Sequence, residues 1–146
     1  MANKDHSRIG EEFEIKVMKW LNENRNKVFT RDDSTCTFDI GNPPSSRKFD
    51  VVSEDRKDIF ECKCFTWTSS GGAPHGKMKS ISEAVLRLSF INEAETFIVL
   101  KRDIRPKTSE LLADYYYRRF GHMLRNTKIL EFDDKLMSMR EVRGSI

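Results

Sequence analysis

The chain has 146 residues, of which 38% are hydrophobic and 34% charged, and its formal net charge is +3. This length suits one domain, residues 1–146, able to bury about 68–70% of its unfolded surface. No run approaches the ~20 apolar residues of a membrane helix, and the polar Met1–His6 segment has no signal-peptide core. A charge of +3 does not by itself argue for nucleic acid, but Lys and Arg cluster at Lys77/Lys79, Lys101-Arg102, Arg105/Lys107 and Arg118-Arg119. Three cysteines, with Cys62 and Cys64 one residue apart, point to a reduced, cytoplasmic protein. The lack of a C-x₂-C pair argues against zinc.

In chain order, Ser7 is the expected N-cap of a helix running to about Arg25, with Phe13, Val17 and Leu21 on one face. Lys27–Arg31 reads as a short strand. Asp32–Ser46 is polar and is broken at Gly41–Ser46, although Thr35–Ile40 can add a strand. Two apolar runs follow, Lys48–Val52 and Ile59–Phe65, joined by the polar Glu54-Asp55-Arg56-Lys57. Thr66–Gly76 is a Ser/Gly/Pro-rich loop. A helix is expected from about Ser80 to Ala94, with Ser80 and Glu83 as a capping box. Thr96–Lys101 is a continuous apolar strand of the doubly buried kind. Thr108–Phe120 is a helix with Thr108 as N-cap, and Lys128–Phe132 a last strand. The order α-β-β-β-α-β-α-β gives an α/β protein.

The two apolar runs carry the chemistry. A hairpin closed with position 54 facing 57 places Asp50 opposite Glu61, with Cβ atoms about 4.5–5.5 Å apart. Two like charges so placed need compensation, and a divalent cation supplies it; Mg²⁺ is typically held by one or two carboxylates plus substrate phosphates and water. Strand alternation puts Lys63 on the face of Glu61, with Phe60, Cys62 and Cys64 on the other.

Asp50 followed by Glu61-Cys62-Lys63 as an E-x-K element resembles the PD-(D/E)XK nuclease superfamily, with Phe49 where the motif has proline. Gly10–Leu21, with Glu14, Val17 and Leu21 at the matching spacing, resembles that superfamily's first helix. It is nearest to the versions in archaeal Holliday-junction resolvases and methylation-dependent restriction nucleases. The resemblance implies a restriction-endonuclease-like three-layer sandwich, a mixed sheet flanked by helices. It also implies a Mg²⁺-dependent DNA endonuclease, with Mn²⁺ as a substitute ion. Asp50, Glu61 and the Cys62 carbonyl would hold the metal, Lys63 would position the attacking water, and Glu14 would extend the site. Glu11, one turn earlier, is the substitute for Glu14. Lys77 and Lys79 are expected on the DNA backbone, and a homodimer that cuts both strands fits the reading. The alternative is a non-catalytic nucleic-acid-binding protein that retains the fold. Restriction, resolution, homing and transposition all remain open.

Gly71–Met78 satisfies G-x-x-x-x-G-K, but Met78 stands where a Mg²⁺-ligating Ser or Thr belongs. His75 is expected in solvent. Tyr115-Tyr116-Tyr117 suggests base stacking, yet on a helix the three point apart, so at least one belongs to the core. Trp20 and Trp67 are expected in the core.

Overall fold

The computed structural model describes residues 2–143, with side chains described from Ser7 onward. Helix α1 (Ala2–Asn24) leads into β1 (Phe29–Thr30), β2 (Thr37–Ile40), β3 (Ser45–Lys48), β4 (Val51–Ser53) and β5 (Asp58–Lys63). Then come α2 (His75–Leu88), β6 (Glu95–Lys101), α3 (Leu112–Phe120), β7 (Lys128–Asp133) and β8 (Ser138–Val142). Six strands form one mixed sheet in the order β1-β4-β5-β6-β7-β8, and β2 and β3 pair as a separate hairpin. Among the described residues no helix is long and apolar enough to cross a membrane.

Strand alternation divides the core in two. On one face, Val51, Phe60, Phe97, Val99 and Phe132 pack with Phe13, Val17 and Leu21 of α1. On the other, Val52, Ile59, Ile98, Leu100 and Ile129 pack under α2 and α3. The apolar run of β6 serves both faces because β6 lies between β5 and β7, parallel to each. Such parallel pairs need long crossovers, and α2 and α3 lie within them. Phe97 is 2% exposed and its ring stacks on Phe60 at 4.4 Å between centroids. Phe97→Ala is expected to cost about 3–5 kcal/mol, read as a lower midpoint in chemical denaturation.

The β4–β5 hairpin has the expected register, with Val51 opposite Phe60 and Val52 opposite Ile59. Several expected boundaries are corrected. Helix α1 continues upstream of Ser7, since no Gly or Pro interrupts residues 2–9. Helix α2 starts at His75, because Pro74 presets the first turn and its carbonyl accepts the Met78 N–H. Ser80 is therefore inside the helix, where its hydroxyl donates to the Lys77 carbonyl and caps nothing. Helix α3 starts at Leu112, because residues 104–111 form a turn closed by an Ile104–Leu111 bridge and the Arg105 N–H to Glu110 carbonyl bond.

Three strands lie beyond the expected order: β2, the strand that Thr35–Ile40 could add, and two that were not expected. β3 occupies the polar Ser45–Lys48 run, and β8 returns antiparallel to β7. The β7–β8 turn is fixed by the Asp133 carboxylate, which accepts from the Lys135 and Leu136 N–H groups.

Candidate functional site

Asp50 sits one residue before β4, between the buried Phe49 and Val51. Its side chain and that of Glu61 continue the ladder where the backbone pairing stops. The Asp50 N–H donates to Glu61 Oε1 at 3.2 Å, and the Cys62 N–H donates to Asp50 Oδ2 at 2.8 Å. The N–H and C=O of a strand residue point the same way, so the Cys62 carbonyl is directed to the same open edge of β5. Glu61 is only 8% exposed.

Burial drives the Asp50 carboxyl up to about 8, and its hydrogen bond to Glu61 and that residue's charge add to the rise. Near neutral pH Asp50 therefore retains a proton. Removing it without another cation would leave two buried charges on facing strands.

Helix α1 delivers a third carboxylate. Phe13 and Val17 dock on the sheet and turn Glu14 towards Asp50. Burial raises Glu14 to about 7; the Asp50 charge adds to this, and Arg31 opposes it. The Arg31 Nη2 donates to Glu14 Oε2 at 2.7 Å, while its Nη1 lies 3.7 Å from Glu11 and 3.2 Å from Asp32. Glu14, not Glu11, is thus the helix residue at Asp50. Glu14 is held in an ion pair, however, and among the described residues no three or more His, Cys, Asp or Glu side chains are set closely enough to hold a metal ion. Asp50 lies between Glu61 and Glu14, with a hydrogen bond to each, and the Cys62 carbonyl points to the same edge.

Lys63 is two residues beyond Glu61 and opens into a cleft of about 460 Å³ at the C-terminal ends of β5 and β6. Gly10, Cys64, Phe65, Lys77 and Lys101 also line it. Lys77, in the first turn of α2, holds its ammonium 5.8 Å from the centre of the Phe65 ring. Lys79 is exposed and is not part of the cleft wall.

The remaining motifs have structural partners. The Gly71 loop folds on itself through the Gly71 N–H to Thr68 carbonyl bond, and Arg105 Nε donates to the Gly71 carbonyl. Tyr115 and Tyr116 are buried and Tyr117 is half-buried, so this run does not form an open stacking platform. Trp67 is buried, with its backbone N–H on the Asp103 carboxylate and its indole N–H on the Asp103 carbonyl. Trp20 is half-buried, and His75 is exposed at the start of α2.

Arg31 is the site neighbour that the sequence did not single out, and Lys101 stood out only as part of a basic cluster. Arg31 lies 17 residues from Glu14, on the far side of a helix end and a two-residue strand. Lys101 ends the apolar run of β6, and a basic residue closing a buried strand is the available signal. No family model matches this chain, and searches of curated proteins and of solved structures return no match.

Proposed function

We propose that the chain is a Mg²⁺-dependent DNA endonuclease with a PD-(D/E)XK site on a restriction-endonuclease-like sandwich. The observation that carries this reading is the Asp50–Glu61 pair, two acidic side chains brought together across the β4–β5 hairpin, with Asp50 holding its proton near neutral pH. A cation can replace that proton, and the donors are the hard oxygens that Mg²⁺ and Mn²⁺ accept. Asp50, Glu61 and the Cys62 carbonyl would hold the ion, with substrate and water filling the other positions.

The ion, when bound, supplies charge stabilisation at the scissile phosphate and lowers the pKa of a coordinated water. Lys63, two residues beyond Glu61 on β5 and lining the cleft, would orient the attacking water and offset the charge developing on the phosphate. Glu14, with its pKa near neutrality, is placed to accept a proton, and Arg31 fixes its carboxylate. Lys77, in the cleft wall, and Lys79, exposed on the same helix, would contact the DNA backbone.

The test is incubation of purified protein with plasmid, linear and branched DNA, with Mg²⁺ or with chelator. Cleavage of at least one substrate, dependent on Mg²⁺ and restored by Mn²⁺ after chelation, is expected. DNA that is bound but never cut under any of these conditions would instead assign the chain to the non-catalytic binding class.

A further inference from the structure

Three lysines act on the half-buried Cys64 thiol, and Lys63 lines the same cleft. Lys63 and Lys101 flank it in the cleft wall with Lys77, and the positive charges of Lys101, Lys16 and Lys77 all act on it. Two of these residues come from adjacent parallel strands. Lys63 pairs in register with Leu100, so Lys101 stands one step beyond Lys63 at the strand ends. The acidic group facing this cluster is Asp134, 3.9 Å from Lys101 Nζ. Such a concentration of like charge calls for an anion, as the neighbouring carboxylates call for a cation. In open α/β sheets ligands bind at the carboxyl ends of the strands, which is where this cleft lies.

We propose that the cleft bounded by Lys63, Lys77 and Lys101 is a phosphodiester-binding site for the nucleic-acid backbone, with Lys101 as its innermost phosphate contact. Its volume of about 460 Å³ falls in the range of small-molecule sites and admits a nucleotide unit. Lys63 stands between the carboxylates and this cleft. A strand whose scissile phosphate meets Asp50 and Glu61 therefore places a neighbouring phosphate on Lys101 and Lys77, and Lys16 of α1 completes the positive rim. This assignment of strand position rests on the nuclease reading; the affinity of the cleft for phosphodiesters does not.

The experiment measures binding of a fluorescent duplex oligonucleotide by anisotropy, in chelator, across a salt series. Wild type is compared with Lys101→Ala, Lys77→Ala, Lys101→Arg and, at the far end of β5, Lys57→Ala. Lys101→Ala and Lys77→Ala are each expected to weaken binding about 5–10-fold near 0.1 M salt and to reduce the salt slope by about one. Lys101→Arg and Lys57→Ala should match wild type. Inorganic phosphate should compete at millimolar levels with wild type and less well with Lys101→Ala.

Wild-type affinity and slope in both alanine variants, with their thermal melts unchanged, would overturn the cleft even if the protein cuts DNA. Loss of slope in these variants alongside a wild type that never cuts would support the cleft and overturn the nuclease reading. If both hold, a charge-neutral methylphosphonate next to the cut linkage should abolish the difference between wild type and Lys101→Ala. A difference that persisted there would overturn the assigned strand position.

Discussion

Lys63→Ala is expected to lower the Mg²⁺-dependent cleavage rate by about 10²–10³-fold, the typical cost of removing one preorganised group that stabilises developing charge. Lys63 follows Glu61 by two residues on one strand, so its ammonium and the carboxylates share a face of β5. It also lines the cleft, between the acidic pair and Lys77 and Lys101. Its loss leaves the other lysines in place. DNA affinity should therefore fall by no more than one phosphate contact, while single-turnover cleavage collapses. Lys63→Arg should restore charge and affinity but only part of the rate, because a planar guanidinium does not reproduce a compact ammonium. Near-wild-type cleavage by Lys63→Ala would show that the chemistry is elsewhere.

Asp50→Asn is expected to abolish cleavage, by about 10³-fold or more, which exceeds the 10–100-fold typical of groups one layer behind a metal ligand. The same change should stabilise the metal-free protein at high pH. An acid whose pKa rises from 3.8 to about 8 on folding keeps its proton in the folded state after the unfolded chain has lost it. The folded protein then binds more protons, so stability falls as pH rises from about 4 to about 8. Glu14, raised to about 7, adds to the fall over the lower part of that window.

Asparagine at position 50 can still accept from the Cys62 N–H and can donate to Glu61. Metal-free Asp50→Asn should therefore gain about 1–3 kcal/mol at pH 8, melting roughly 2–10 °C above wild type, and the gap should close towards pH 4. Calorimetric melts across that pH range measure it. A variant less stable than wild type at pH 8 would mean that the carboxylate contributes more to the fold than its burial costs.

The acidic pair was legible in the sequence because a short polar turn fixes a hairpin register, and register fixes which side chains face each other. The Phe13, Val17 and Leu21 stripe and the apolar run of β6 were legible for a similar reason: burial imposes a period on the residues themselves. What the sequence hid has weak local signals. β3 is a polar, exposed strand and β8 a mostly polar one that buries only Val142, and both depend on a partner and a turn more than on hydrophobicity. Thr108 has the chemistry of an N-cap, but the Ile104–Leu111 bridge takes its neighbourhood for a turn. The Glu14–Arg31 pair depends on the angle at which the chain leaves α1, which no spacing rule encodes. The basic cleft is likewise assembled from four elements, α1, β5, α2 and β6, and becomes visible only when they are placed side by side.

The central claim is that Asp50, beside Glu61, exchanges its proton for a divalent cation. Titration calorimetry with Mn²⁺ at pH 7, in two buffers of different ionisation enthalpy, counts the protons released per ion bound. One ion per chain, with release of close to one proton in wild type and loss of that binding in Asp50→Asn, is the expected result. Equal Mn²⁺ binding by wild type and Asp50→Asn, or binding without proton release, would contradict it.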